Sequence, residues 1–271
     1  MSEEKKLELE KLVKQLNVMD DTLFHKVAED PKVCEEMLRV FLQDKELVLI
    51  SSTPQMFLRN VGNRSVILDA YCEGTNGKKY AVEMQKADDD DHQKRVRYIG
   101  SNVDTRITEK GIDFKDIPDV YLIYLTKFDV FEKEMTVYHI DRTIQETGDV
   151  VDNGFHEIYI NAEIDDGSET AQLMQYICNT KGRNETFQKL SDKVQHLKEK
   201  GEDTMCDLVE EYAKKYAAQQ IIELEQKTLE AEKQNTAELF KNGASLELVL
   251  KSMKTLDQET IREIYQEVTG S

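Results

Sequence analysis

Residues 64–86 switch to a period of two on both sides of a Gly74–Gly77 turn, and this hairpin constrains the fold more than any other stretch of the chain. The text SVILDAYCEGTNGKKYAVEMQ carries Asp69 on one arm and Glu83 with Gln85 on the other. With alternating side chains, Asp69 shares a face with Ile67 and Tyr71, and Glu83 with Ala81 and Gln85. Whether the two acids meet depends on register. A two-residue Asn76-Gly77 loop pairs 69 with 84 and sends Glu83 to the face opposite Asp69. A three-residue Thr75-Asn76-Gly77 loop, with Gly77 left-handed and a G1 bulge, pairs 69 with 83. In that register the Cβ atoms lie about 5 Å apart, near enough for both carboxylates to share one Mg²⁺ at about 2.1 Å, and without a cation they repel. The competing arrangement leaves Asp69 and Glu83 in solvent beside Arg64, Lys78 and Lys79.

The surrounding pattern is that of an α/β chain. DTLFHKVAEDPKVCEEMLRVFL predicts two short amphipathic helices broken at Pro31. After the hairpin, Val96, Ile99, Val103 and Ile107 form the apolar stripe of a helix between Asp88 and Lys110. VYLIYLTKF (120–128), MTVYHIDRT (135–143) and FHEIYIN (155–161) then predict three strands, the first a continuous apolar run. Beyond residue 168 the strand signals stop and the pattern stays helical. A single helix is expected over 204–241, with Leu208, Tyr212, Tyr216, Ile222 and Leu229 as a broken apolar stripe. Gly243 and Ser245 end it, and two short helices follow, the second opened by a Thr255–Gln258 capping box. The expected division is 1–168 and a helical extension, 169–271.

Composition removes several function classes. The chain has 54 acids against 36 Lys plus Arg, so its net charge near −18 opposes non-specific attraction to phosphate and makes any nucleic-acid site a local exception. Cys34, Cys72, Cys178 and Cys206 form neither a C-x-x-C pair nor a Cys-His cluster, which argues against a zinc site or a disulfide framework. The N-terminus has no apolar signal-like core and no run of about 18 apolar residues occurs, so a soluble, cytoplasmic protein with no membrane partner is expected. There is no P-loop and no G-x-S-x-G, and the five histidines lack ligand spacing.

The ordered series FHKVAEDPKV, SVILDAYCEGTNGKKYAVEMQ, DDHQKRVRYIGS, DFKDIPDVYLIYLTKFDVF and TVYHIDRTIQETGDVVDNGFHEIYIN resembles the Rpn family of recombination-promoting nucleases, also called transposases, of the PD-(D/E)xK superfamily. The resemblance covers roughly residues 19–200. It implies a restriction-endonuclease-like core, a mixed β-sheet flanked by helices, here with an α-helical C-terminal extension. It also implies a metal-dependent DNA endonuclease using Mg²⁺ or Mn²⁺ and acting in recombination or mobile elements. By the same resemblance Asp69 and Glu83 are the metal-binding acids, and Gln85 takes the third catalytic position, where the superfamily usually has Lys. Gln85 can orient a water but carries no charge, and Lys86 should point to the other face. The alternative is a catalytically silent protein of the same fold that acts through protein–protein interactions.

Further candidates are less selective. The superfamily often adds an acid from the first core helix, for which Glu29, Glu35 and Glu36 compete. Asp88–Asp91 reads as helix capping rather than as a metal cluster. Arg95, Tyr98, Asn102 and Arg106 fall at helical spacing to the side of the apolar stripe, where they are candidates to face a DNA backbone, and the resemblance favours Arg95 and Tyr98. The last two helices resemble a helix-turn-helix, but five acids against three bases over 245–271 point to packing or homo-oligomer formation.

Overall fold

The computed structural model describes residues 3–59, 65–88, 91–108, 110–199, 202–253 and 256–269. Helices α1 (Glu3–Gln15), α2 (Asp21–Ala28) and α3 (Pro31–Phe41) precede strands β1 (Leu49–Leu58), β2 (Val66–Gly74) and β3 (Lys79–Gln85). Then come α4 (His92–Ile107), a 3-10 turn (Phe114–Asp116), β4 (Val120–Thr126), β5 (Val137–Ile140), β6 (Arg142–Thr143), β7 (Val150–Val151) and β8 (Phe155–Asn161). The chain finishes with α5 (Glu169–Asn179), α6 (Gln188–Glu199), α7 (Glu202–Lys241), α8 (Leu246–Ser252) and α9 (Gln258–Thr269).

Six strands form one mixed sheet in the order β1-β2-β3-β4-β8-β5. The outer pairs β1/β2, β2/β3 and β8/β5 are antiparallel, while β3, β4 and β8 run parallel. The apolar run of β4 therefore lies at the centre, with Leu122, Ile123, Tyr124 and Leu125 all buried. Helix α4 covers one face: Val96, Ile99 and Val103 pack on Tyr71, Ala81, Val120, Leu122 and Tyr124. Helices α2 and α3 lie against β1, where Ser52 Oγ donates to Ala28 O at 2.7 Å, and α5 and α6 pack in turn on α3.

Strand β1 is absent from the pattern read above, for a physical reason. Its sequence LISSTPQMFL is half polar, and Pro54 cannot donate to a ladder, which confines such a strand to a sheet edge. The hairpin is thus the inner part of a three-stranded meander.

The chain separates into two compact units, Met1–Val209 and Glu210–Ser271. The change after residue 168 marks the end of the strands; α5 and α6, beyond it, belong to the first unit. In the second unit Phe240, Val249, Leu256, Ile261 and Ile264 form a small core at α8, α9 and the end of α7. Ser245 Oγ accepts from Leu248 N at 3.3 Å, capping α8. The cap of α9 is Asp257, which accepts from Thr260 N at 2.8 Å, whereas Thr255 lies outside the described residues. Of the expected stripe on α7, Leu208 is buried, Tyr216 and Leu229 are exposed, and the Ile222 side chain lies outside the described residues.

Candidate metal and nucleic-acid site

The β2–β3 ladder pairs Glu73 with Lys79, Cys72 with Tyr80, Tyr71 with Ala81 and Ala70 with Val82. This is the register of the three-residue loop. Gly74 N donates to Lys78 O at 3.0 Å, and Gly77 has φ +82°, a conformation glycine adopts without steric cost. The ladder ends at Ala70–Val82, and just beyond it Asp69 lies beside Glu83, whose carboxyl accepts from the Asp69 backbone.

At Asp69 the strand departs from simple alternation. Leu68 and Tyr71, three residues apart, both join the core under α4, whereas Cys72 turns to Ser52 and α3. The face pattern slips by one residue between Leu68 and Tyr71, so Asp69 does not share a simple face with both Ile67 and Tyr71. Its side chain reaches β3 instead: Oδ2 accepts from Met84 N at 2.7 Å. Opposite it on β1, Gln55 has φ +48° and breaks that strand's regularity as well.

Glu83 is buried, only 4% exposed, and among the described residues its Oε1 has no hydrogen-bond partner. A buried carboxylate oxygen left without a partner is costly. Burial pushes the Glu83 carboxyl well above the usual carboxylate range, and the Asp69 charge adds to the rise; Arg95 and the Asp69 backbone oppose it, and Asp21 contributes a smaller push upward. A divalent cation would supply what this arrangement lacks, a partner for Oε1 and a counter-charge for two facing acids. Among the described residues no group of three or more His, Cys, Asp or Glu is placed to hold a metal. A two-carboxylate pair nonetheless suits Mg²⁺, which keeps several waters and takes phosphate oxygens into its shell.

Glu83 opens onto a cleft of about 590 Å³ lined by Ser65, Val66, Ile67, Asp91, Lys94, Arg95, Arg97, Tyr98 and Ile99. Sequence reasoning placed Arg95 and Tyr98 at the site, and both are on this wall. Lys94 and Arg97, also in the KRVR run, were not singled out. Asn102 is buried in α4, its Nδ2 donating to Tyr98 O at 2.8 Å, so it does not face a ligand; Arg106 is exposed but is not among the lining residues.

A scan against protein families matches residues 21–236 to the PD-(D/E)XK nuclease family transposases. The chain belongs to that family. No curated protein and no solved structure matches it. The family match covers both the hairpin and α4, and the mixed sheet flanked by helices agrees with the restriction-endonuclease-like fold.

The remaining candidates separate clearly. Gln85 ends β3 with Nε2 donating to Ala87 O at 2.8 Å, and it does not line the cleft. Lys86 turns away, as alternation predicts, and pairs with Asp20 at 2.7 Å. Glu29 pairs with Lys26 at 2.9 Å, and Glu36 accepts from Lys189 N and Leu190 N at 3.1 and 2.8 Å at the start of α6. Glu35 is bound to Lys32, Arg39 and Leu49 N. The first-helix acid whose field reaches Glu83 is Asp21, in the first turn of α2, which sequence reasoning passed over. Asp91 caps α4, accepting from Lys94 N at 3.0 Å, and Asp88 binds His92 at 2.9 Å; Asp89 and Asp90 lie outside the described residues.

Proposed function

We propose that the protein is a divalent-cation-dependent DNA endonuclease that hydrolyses phosphodiester bonds, with Mg²⁺ or Mn²⁺ as the cofactor and a role in recombination of mobile elements. The observation that carries this reading is the buried Glu83 carboxyl, whose Oε1 has no hydrogen-bond partner among the described residues, in the lining of a cleft that also holds Lys94, Arg95 and Arg97; Asp69 is its charged neighbour but does not line the cleft. Asp69 and Glu83 would hold the cation, with Asp21 close enough to bias the same site. The chemistry a divalent cation supplies at such a pair is Lewis acidity toward a phosphoryl oxygen and a lowered pKa for water. Lys94, Arg95 and Arg97 bind phosphate oxygens and hold the scissile group over the acids, and Tyr98 offers its ring and hydroxyl to the nucleotide. Gln85 is assigned the weaker role of positioning water, so its loss impairs the reaction without removing the cation site.

A second reading, a silent protein of the same fold acting through protein partners, draws support from the Gln85 amide tied to Ala87 O. Nicking of supercoiled plasmid with Mg²⁺ or Mn²⁺ separates the two. Wild type should cut, while Asp69→Asn and Glu83→Gln should not. Asn is preferred to Ala at 69 because it keeps an acceptor for Met84 N. Failure of wild type to cut with any divalent cation, or undiminished cutting by Asp69→Asn, transfers the assignment to the silent reading. Self-association through the C-terminal helices belongs to the same proposal, supported by the exposed Tyr216, Leu229 and Leu239. Light scattering of the full chain should then show a dimer that is lost on truncation after Val209.

A further inference from the structure

Helix α4 begins on a buried histidine. His92, its first residue, is 6% exposed and heads the buried stripe that continues through Val96, Ile99 and Val103. An apolar side chain would fill that place without burying a polar group. The imidazole instead bridges two other segments: Nε2 lies 2.9 Å from Asp88 Oδ1, in the connection from β3, and Nδ1 lies 2.9 Å from Tyr124 Oη on β4. A carboxylate only accepts, so Nε2 is the donor to Asp88, and in the neutral ring Nδ1 then accepts from the Tyr124 hydroxyl. The Phe128 ring packs against the same imidazole, with centroids 4.9 Å apart. Tyr124 is the direct partner of Glu83 in the parallel β3/β4 ladder, so the two side chains stand next to each other on one face of the sheet. The chain Asp88–His92–Tyr124 therefore fastens the first turn of α4 to the sheet beside the buried acid.

We infer that His92 is a positioning residue for phosphate binding: held by Asp88 and Tyr124, it fixes the first turn of α4 on the sheet so that Arg95 stands in the Glu83 cleft where a substrate phosphate meets it. The inference rests on the nuclease reading of that cleft and adds to it a residue that does not line the cleft. Arg95 follows His92 by three residues in the helix, a spacing that puts the two side chains on neighbouring positions of one face. Arg95 lines the cleft together with Glu83, and its charge acts on the Glu83 carboxyl against the rise caused by burial. Lys94 is already paired with Asp91 at 2.8 Å, so the placement of Arg95 and Arg97 decides how the cleft meets phosphate. The rest of the chain offers no help, because a net charge near −18 repels DNA at long range. Asp91 caps the helix backbone through Lys94 N, which starts the helix but does not tie it to the sheet. Val96, Ile99 and Val103 do pack on the sheet, but apolar contact is non-directional, whereas the two hydrogen bonds of His92 fix one setting of the helix end.

The test is the salt dependence of binding of a labelled blunt duplex by the full-length protein, in EDTA to prevent cutting, beside plasmid nicking with Mg²⁺. Arg95→Ala should make the log–log salt slope shallower by about 0.9, the share of one phosphate contact. His92→Leu and Tyr124→Phe remove no Lys or Arg, so a purely structural loss would leave that slope unchanged; both should instead make it shallower by the same amount as Arg95→Ala. The double variant His92→Leu/Arg95→Ala should bind no more weakly than Arg95→Ala, because both changes remove one and the same contact. Asp88→Asn, which keeps an acceptor for Nε2–H, should retain the wild-type slope, and Asp88→Leu should not. If His92→Leu does not fold, Tyr124→Phe, which loses only a hydroxyl, decides alone. A wild-type slope in the folded variants of His92 and Tyr124, or losses at His92 and Arg95 that add in full, overturns the inference and leaves the nuclease reading intact if plasmid is still nicked. Absence of DNA binding by wild type overturns the inference, and absence of nicking with it overturns the nuclease reading as well.

Discussion

Two buried glutamates in the first unit show how differently one fold can treat the same side chain. Glu35, on α3, accepts from Leu49 N at 3.1 Å and is paired with Lys32 at 3.1 Å and Arg39 at 3.2 Å. Burial alone would raise its carboxyl, but the Leu49 N–H and the two cations outweigh that effect and hold it below the usual carboxylate range. Glu83 is buried to a similar degree, yet it has the charge of Asp69 as a neighbour, and its Oε1 has no partner among the described residues. Glu35 ties a helix to an edge strand. Glu83 is held in a state that the fold itself does not satisfy, and a ligand that brings positive charge relieves it. The contrast separates an acid used for structure from one kept for chemistry.

The largest expected effect lies on cleavage. Glu83→Gln should lower metal-dependent DNA cutting by about a thousandfold, since loss of a cation-binding carboxylate forfeits several kcal/mol of transition-state stabilisation. Glu35→Gln, which keeps an acceptor for Leu49 N, should cut at the wild-type rate per folded molecule. Comparable losses in the two variants, measured by initial nicking rates, would erase the distinction.

Unfolding should show the reverse order. Glu35→Ala removes the acceptor for Leu49 N and strands Lys32 and Arg39, for an expected loss of about 1–3 kcal/mol. The cost stays below the 3–5 kcal/mol typical of a fully buried broken pair because both cations reach solvent. Urea unfolding of the two variants beside wild type measures it; a Glu35→Ala protein as stable as wild type would show that the pairing at α3 contributes little.

The two glutamates were not equally legible in the sequence. Glu83 was, through the family resemblance; the turn itself left the register open, because Gly77 at positive φ suits both a two-residue Asn76-Gly77 loop and the three-residue loop that the structure has. Nothing local distinguished Glu35 from Glu29 or Glu36, since their partners, Leu49 and the start of α6, are distant in sequence. The slip at Asp69 was hidden for a similar reason: it arises when a side chain takes a hydrogen bond from Met84 N that regular alternation does not anticipate. Asn102 was only a candidate to face a DNA backbone, and it is buried, because the buried arc of α4 is wider than its apolar stripe. Strand β1 was hidden by its polar residues and Pro54, the features that suit it to an edge.

The smallest expected effect tests the electrostatic half of the contrast, in the protein stripped of divalent cations. The Glu83 carboxyl is raised well above its ordinary value of 4.5 by burial and by Asp69. Below pH 4.5 the group is protonated in both folded and unfolded chains and contributes no pH dependence. From 4.5 up to its raised value the folded protein keeps a proton that the unfolded chain has released, so stability falls as pH rises, by at most about 1.4 kcal/mol per pH unit. Above the raised value the penalty is constant. Glu83→Gln cannot ionise and escapes this slope, so the variant should overtake wild type as pH rises through the window and remain the more stable at neutral pH. Added Mg²⁺ should then stabilise wild type at neutral pH and leave the variant nearly unchanged, because a ligand that binds only the folded state raises its stability in proportion to its occupancy. The Glu35→Gln protein serves as the reference, since its carboxyl shifts in the other direction. If wild type and Glu83→Gln give parallel stability curves from pH 4.5 upward in EDTA, Glu83 is not held as a strained acid and the contrast with Glu35 is lost.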